Sequence, residues 1–224
     1  MDENKDFKKH WKEMTVGQKL QYFRDYYLII TLVAAAVLGT VIFLIWNFTK
    51  PQEKDVLNVA FLDETLDSTA KEELISSLNS EFGADGKLEA VVLNDNFNTA
   101  ADGLTRLAVY VSAHSVDAVV ADRDVFTSMA ASGYFTDLST VLTSEDMAKW
   151  EPDLIKTAGY DDSELSDAAY DGTGKGAVLA YGMDFSKSTA YKNISTKLDN
   201  PVFAIVTGGP NPENTLRFLE IMMS

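Results

Sequence analysis

The chain has 224 residues, 46% hydrophobic and 24% charged, a composition that suits one ordinary folded domain plus an extension. Residues 1–25 carry six Lys/Arg and five Asp/Glu; the thirteen basic and twenty-nine acidic residues beyond them make a surface that repels nucleic-acid phosphates and anionic headgroups, so no nucleic acid is expected as a partner. Without cysteine there are no disulfides, thiolate metal sites or thiol nucleophiles, and the two histidines, His10 and His114, flank a long apolar run, which leaves no His-based metal centre or serine triad.

The first element is read at Thr15 to Tyr27 (TVGQKLQYFRDYY), where Val16, Leu20, Phe23 and Tyr27 recur at helical spacing and Lys19 and Arg24 are placed to meet lipid phosphates. This predicts a helix along the inner membrane interface, the alternative being a cytoplasmic helix that binds a partner. No charge occurs between Asp25 and Lys50, and Leu28 to Trp46 (LIITLVAAAVLGTVIFLIW) is long enough as a helix to span a bilayer. Tyr22, Tyr26 and Tyr27 at one end and Trp46 and Phe48 at the other resemble interfacial belts. Lys5, Lys8, Lys9, Lys12, Lys19 and Arg24 precede the run, and only Lys50 and Lys54 follow closely, so the positive-inside rule puts the N-terminus in the cytoplasm. WNFTKPQEKD offers no small-x-small cleavage site, which favours an uncleaved signal anchor over a cleaved signal peptide. The reading divides the chain into a cytoplasmic segment at 1–25, a transmembrane helix at 26–48, a polar linker with Pro51 at 49–55 and an extracytoplasmic domain at 56–224.

In that domain strands are expected at Val56 to Leu62, Leu88 to Leu93 and Val116 to Ala121. They alternate with helices at Ser68 to Phe82 (Leu74, Ile75 and Leu78 inward), about Thr99 to Ala113 (Leu104, Leu107 and Val111 inward) and Arg123 to Ser132. The order βαβαβ predicts an α/β fold with a mostly parallel sheet and right-handed crossovers. A mixed C-terminal part follows. Ser144 caps a helix that Pro152 breaks or kinks, and an acidic, Gly-rich stretch from Gly159 to Lys175 reads as an exposed loop. Strands return at Gly176 to Met183 and Val202 to Thr207, before a helix capped by Asn211 that starts at Pro212 and buries Leu216, Leu219 and Ile221.

The run VDAVVADRDVFTSMAASGYFTDLSTVL (116–142) resembles a segment of type II periplasmic solute-binding proteins in which a strand, a helix and a Gly-aromatic-x-x-Leu turn follow one another. PENTLRFLEIM (212–222) is similar to the C-terminal helix of the same lobe, and the whole chain resembles short single-span membrane proteins of Gram-positive bacteria that carry one such lobe. The resemblance implies a solute-binding-type lobe in the bacterial cell membrane. A full member has two lobes that close on ligand; here only about thirty residues stand between Leu142 and Gly176, where the second would belong, and no ligand residue carries over.

Ligands of open α/β sheets sit at the carboxyl ends of the strands. Those ends offer Asp63, Glu64, Asn94, Asp95, Asp122 and Asp124, a rim suited to a cation or an amine, unless the same residues cap the helices that follow. Asp161, Asp162, Glu164, Asp167 and Asp171 lack the spacing of an EF-hand and read as a solvated loop. Gly172 to Gly176 precedes a strand instead of opening a helix, the wrong context for a phosphate loop, and Asn47 and Asn193 match the glycosylation pattern by chance. No catalytic residue, metal or cofactor is expected. The function expected is a membrane-anchored accessory domain that binds a membrane or envelope protein, the alternative being a tethered single-lobe binder of a solute or cation, with an enzyme behind both.

Overall fold

The computed structural model describes residues 14–26, 28–49, 54–163 and 170–224. The lysines expected at positions 5–12, Tyr27, Pro51, Glu164 and Asp167 lie outside the described residues, as do the side chains of Tyr22, Phe23 and Tyr26. The chain divides into two compact units, Met1–Gln52 and Glu53–Ser224.

In the first unit, helix α1 (Val16–Tyr26) opens on a reciprocal cap. The Thr15 amide donates to Gln18 Oε1 at 2.9 Å, and the Gln18 amide points back to Thr15 Oγ1 at 3.5 Å. Helix α2 (Leu28–Thr49) is apolar on every face and none of its residues is buried. Its 22 residues make it long and apolar enough to cross a membrane. The Thr40 and Thr49 hydroxyls turn back onto the carbonyls of Ala36 and Ile45, at 2.9 and 2.8 Å, so neither needs water as a partner.

The second unit is α/β. Its elements are β1 (Lys54–Leu62), α3 (Ser68–Phe82), β2 (Glu89–Phe97), α4 (Gly103–Ser112), β3 (Ala118–Asp122), α5 (Arg123–Ala131), α6 (Ser144–Lys149), β4 (Leu154–Ala158), β5 (Val178–Asp184), α7 (Thr189–Ile194), β6 (Pro201–Ile205) and α8 (Pro212–Met222), with single 3-10 turns at Leu138–Thr140 and Glu151–Asp153. The six strands form one sheet in the order β2-β1-β3-β6-β5-β4. β1 runs parallel to β2 and to β3, whereas β3–β6, β6–β5 and β5–β4 are antiparallel.

The sheet is therefore mixed, which corrects the expectation of a mostly parallel one. A parallel neighbour needs a crossover that carries the chain back along the strand. Helices of six residues, such as α6 and α7, rise only about 9 Å, less than the ~17–23 Å of a strand of five to seven residues. After α5 the chain reverses in hairpin fashion instead, and β4, which had not been anticipated, pairs with β5 as the edge strand.

Alternation along the strands divides the core into two layers. Leu57, Val59 and Phe61 of β1 pack with Leu78, Tyr191, Phe203 and Phe218, under α3, α7 and α8. Ala60 and Leu62 face the other way, with Leu107, Val119, Phe126 and Phe135, under α4 and α5. Each fully buried Leu or Phe contributes about 1.5–3 kcal/mol by leaving water. Helix α8 buries Leu219 as expected, but together with Thr215, Phe218 and Met222, so that Leu216 and Ile221 are only partly covered.

Two boundaries have local causes. Helix α4 starts at Gly103, later than expected, because the amides of Ala101 and Gly103 both donate to the Asn98 carbonyl and close a turn first. A Cβ at Gly103 would stand 2.4 Å from that carbonyl oxygen, so only glycine fits. Leu104, expected inward, is exposed, while Gly103 and Leu107 take the buried positions. The stretch after β4, expected as an exposed loop, has an ordered base: Asp161 donates its amide to Gly172 O at 2.9 Å, Gly176 to Gly159 O at 3.0 Å and Gly174 to Ala131 O at 2.9 Å.

Candidate functional site

The connection from β1 to β2 passes over one face of the sheet by α3, and the connection from β2 to β3 over the other by α4, so the strand order reverses at β1/β3. The carboxyl ends of β1, β2 and β3 meet there, and the antiparallel register brings the end of β5 and the start of β6 to the same edge. This is where a ligand of an open α/β sheet would sit.

The rim residues at this edge are engaged with the fold itself. Asp63 follows β1 with φ of 56°, a left-handed conformation that Asp tolerates better than most residues. Its carboxylate accepts the Thr99 amide at 2.8 Å and the Thr99 hydroxyl, tying the end of β1 to the loop after β2. Glu64 is 4% exposed and accepts the hydroxyls of Tyr191 and Ser195, the latter at 2.5 Å. Burial, reinforced by the Glu64 carboxylate, pushes the Tyr191 hydroxyl far above its ordinary range. Asp95 accepts the Leu66 amide at 3.0 Å and pairs with Lys71 Nζ at 2.7 Å. Burial pushes its carboxyl up, but the Lys71 ammonium and the Leu66 amide outweigh that and leave it below the usual range. Asn94 accepts the Asn96 amide, and Asp122 caps α5 by accepting the Asp124 amide at 3.2 Å. Asp124 is exposed in the first turn of α5, where a negative charge favours the helix dipole.

Asn94 and Asp95, expected just after a strand ending at Leu93, lie inside β2, which runs on to Phe97, and the rim does not converge on an open centre. Among the described residues no group of three or more His, Asp or Glu is placed to hold a metal ion. The chain from Glu64 to Asp67 is bonded along its length: Glu64 to α7, Leu66 to Asp95, and the Asp67 amide to Ile194 O at 2.8 Å. An open groove lined by Thr65 to Ser68 and Lys192 to Thr196 runs over this joint.

Tyr191 and Ser195, the donors to Glu64, were not anticipated from the sequence, nor was the short helix α7 that positions them; the only local pattern there is the glycosylation match at Asn193. Asp117, at the opposite end of the sheet, was also missed. Its carboxylate is fully buried and accepts the Asn58 amide at 2.8 Å, the Asn211 amide at 2.6 Å and Asn211 Nδ2 at 3.1 Å. A signal existed: an acid at the head of the apolar run VDAVVA can be buried only if donors surround it. Asn211, expected to cap α8, makes no side-chain cap bond and reaches Asp117 and the Asp55 carbonyl instead.

Elsewhere, Asp161 accepts the Tyr170 hydroxyl at 2.6 Å, and Asp171 accepts the Thr173 amide at 3.0 Å within its own turn. His114 is exposed with φ of 50°, its Nδ1 3.0 Å from Gly208 O. Comparison with family models, with curated proteins and with solved structures returns no match.

Proposed function

We propose that the chain is a single-pass bacterial membrane protein with a cytoplasmic N-terminus, and that its outer lobe is an accessory domain that binds a membrane or envelope protein without chemistry of its own. The lobe is of the single-lobe solute-binding kind, adapted to protein contact. The observation that carries this reading is the use made of the strand-end acids. Asp63, Glu64 and Asp95 accept from Thr99, Tyr191, Ser195, Lys71 and the Leu66 amide and so join segments, while Asp122 caps α5 through the Asp124 amide. The all-round apolar helix α2 supports the anchor, and the excess of Lys/Arg before it supports the orientation.

Affinity purification of the full chain from cross-linked membranes, with mass spectrometry of the co-purifying proteins, tests the reading. A stoichiometric envelope protein is expected, together with no change in melting temperature across a screen of metabolites and cations. A shift with one ligand class that is abolished by Asp63→Asn with Asp122→Asn would transfer the function to a tethered small-molecule binder. Alkaline phosphatase fused after Ser224 is expected to be active, and an inactive fusion in a full-length chain would reverse the orientation.

A further inference from the structure

One residue separates α1 from α2, and the two helices share a groove lined by Gly17, Leu20, Gln21, Arg24 and Leu28. Gly17, Gln21 and Arg24 follow one another at helical spacing along one side of α1, and Leu28 opens α2. Among the described residues nothing fills the space beside Gly17: a Cβ there would meet no atom within 4 Å. Val16 and Leu20 form an adjoining apolar stripe and are 82% and 72% exposed. By helical position Lys19 and Arg24 stand on the two flanks of that stripe.

We propose that this groove binds the headgroup of an anionic phospholipid in the leaflet that α2 enters. The proposal rests on the reading of α2 as a membrane span. The short connection keeps the end of α1 beside the start of α2, and with α2 in the bilayer the medium offered to Leu20 is the lipid interface. The Arg24 guanidinium, a planar cation whose paired N–H groups suit a phosphate's oxygens, is the group that meets the headgroup. Gln21 supplies an amide for ester or headgroup oxygens, Gly17 leaves room for the glycerol, and Leu20 and Leu28 cover the first acyl carbons. Charge points the same way: the lobe beyond the span is strongly acidic and is repelled by anionic headgroups, whereas Lys19 and Arg24 favour them.

The test uses the full chain in nanodiscs of phosphatidylcholine mixed with phosphatidylglycerol. Native mass spectrometry reads the lipid retained on the protein, and environment-sensitive dyes on Leu20→Cys and Leu38→Cys read the surroundings of each helix; the absence of native cysteine makes each label unique. Expected are a lipid-like signal at both positions and retention of phosphatidylglycerol over phosphatidylcholine. Arg24→Gln should lower that preference about fivefold, the worth of one basic side chain at an anionic surface, and Arg24→Lys should restore most of it. Gly17→Val should reduce retention of both lipids. A lipid-like signal at position 38 with water at position 20, or a lipid preference unchanged by Arg24→Gln, overturns the headgroup site and leaves the anchor standing. A water-like signal at position 38 overturns the anchor, and the site with it.

Discussion

The two ends of the sheet bury acids in different ways. At the carboxyl end the load is distributed: Asp122 takes one donor, Asp63 and Asp95 two each and Glu64 three, from the loop after β2, from α7, from α3 and the chain before it, and from the start of α5. At the amino end one carboxylate, Asp117, takes three N–H donors from β1 and from the entry to α8. Both ends do the same mechanical work, fastening the C-terminal segment to the parallel strands across 94 to 131 residues of sequence. The difference teaches where the fold tolerates change. A lost acid at the distributed end frees few donors, several of which water can reach, whereas losing Asp117 strands several donors in a dry place at once.

The comparison is broken most severely by an acid without donors. Val119 lies two residues beyond Asp117 and is 1% exposed in the apolar layer under α4 and α5. Val119→Asp is expected to cost on the order of 5 kcal/mol and to abolish folding, because no N–H group waits for it. The measurement is urea unfolding of a fragment from Lys54 to Ser224, which itself should unfold in one cooperative transition. A cooperative Val119→Asp fragment of near-native stability would refute the account of Asp117 as well.

Asp117→Ala comes next, at about 3–5 kcal/mol, with Asp117→Asn costing less since one acceptor oxygen remains. Equal losses for the two variants would mean that charge, and not the count of acceptors, matters at the amino end.

At the other end, Tyr191→Phe removes one of the two hydroxyls on Glu64 and should cost about 1.5–3 kcal/mol as the loss of a hydrogen bond to a charged group. It also carries a pH signature. The folded pKa of Tyr191 is raised above its ordinary 10.0, so its contribution is complete below about pH 10 and declines as the pH rises further, where the unfolded chain loses the proton first. Tyr191→Phe should flatten that alkaline decline, and an unchanged alkaline limb would show that the Glu64 contact does not govern it.

The smallest effects belong to the partly buried members of the rim. Asp63→Asn and Asp122→Asn should cost about 1 kcal/mol each or less, as turn and cap bonds. Asp95→Asn should cost about 0.5–1 kcal/mol at neutral pH. The folded pKa of Asp95 is depressed, so its stabilisation is present above its ordinary 3.8 and disappears as the pH falls through the lower folded value. The Asn variant should therefore converge with the parent in acid. Divergence there would place the Lys71 pair outside the stability of the lobe.

The parallel half of the domain was legible because its signals are local. Helix α3 could be bounded at Ser68 and Phe82 because Asp67 caps its start, accepting the Ala70 amide, and Gly83 ends it with φ of 67°. Around it, the change from a period of two to one of 3.6 marks β1 and β2. The apolar length of α2 could likewise be read from composition alone, since an element apolar on every face has few other uses. The antiparallel half was less legible: β4 is a five-residue edge strand with Lys156 exposed in its middle, and α7 is one and a half turns, both too short for a period to register. Strand direction after α5 followed from the reach of short helices, a property of assembled lengths and not of any residue. The same division runs through the acids. The place of Asp63, Glu64 and Asp122 at the strand ends could be read in chain order, whereas β2 runs on to Phe97 and holds Asn94 and Asp95 inside the strand. What each acid meets, Tyr191 for Glu64, Lys71 for Asp95 and Asn211 for Asp117, was decided by the tertiary structure, because a carboxylate out of water takes whatever donors the packing brings within 3 Å and those donors stand 24 to 127 residues away.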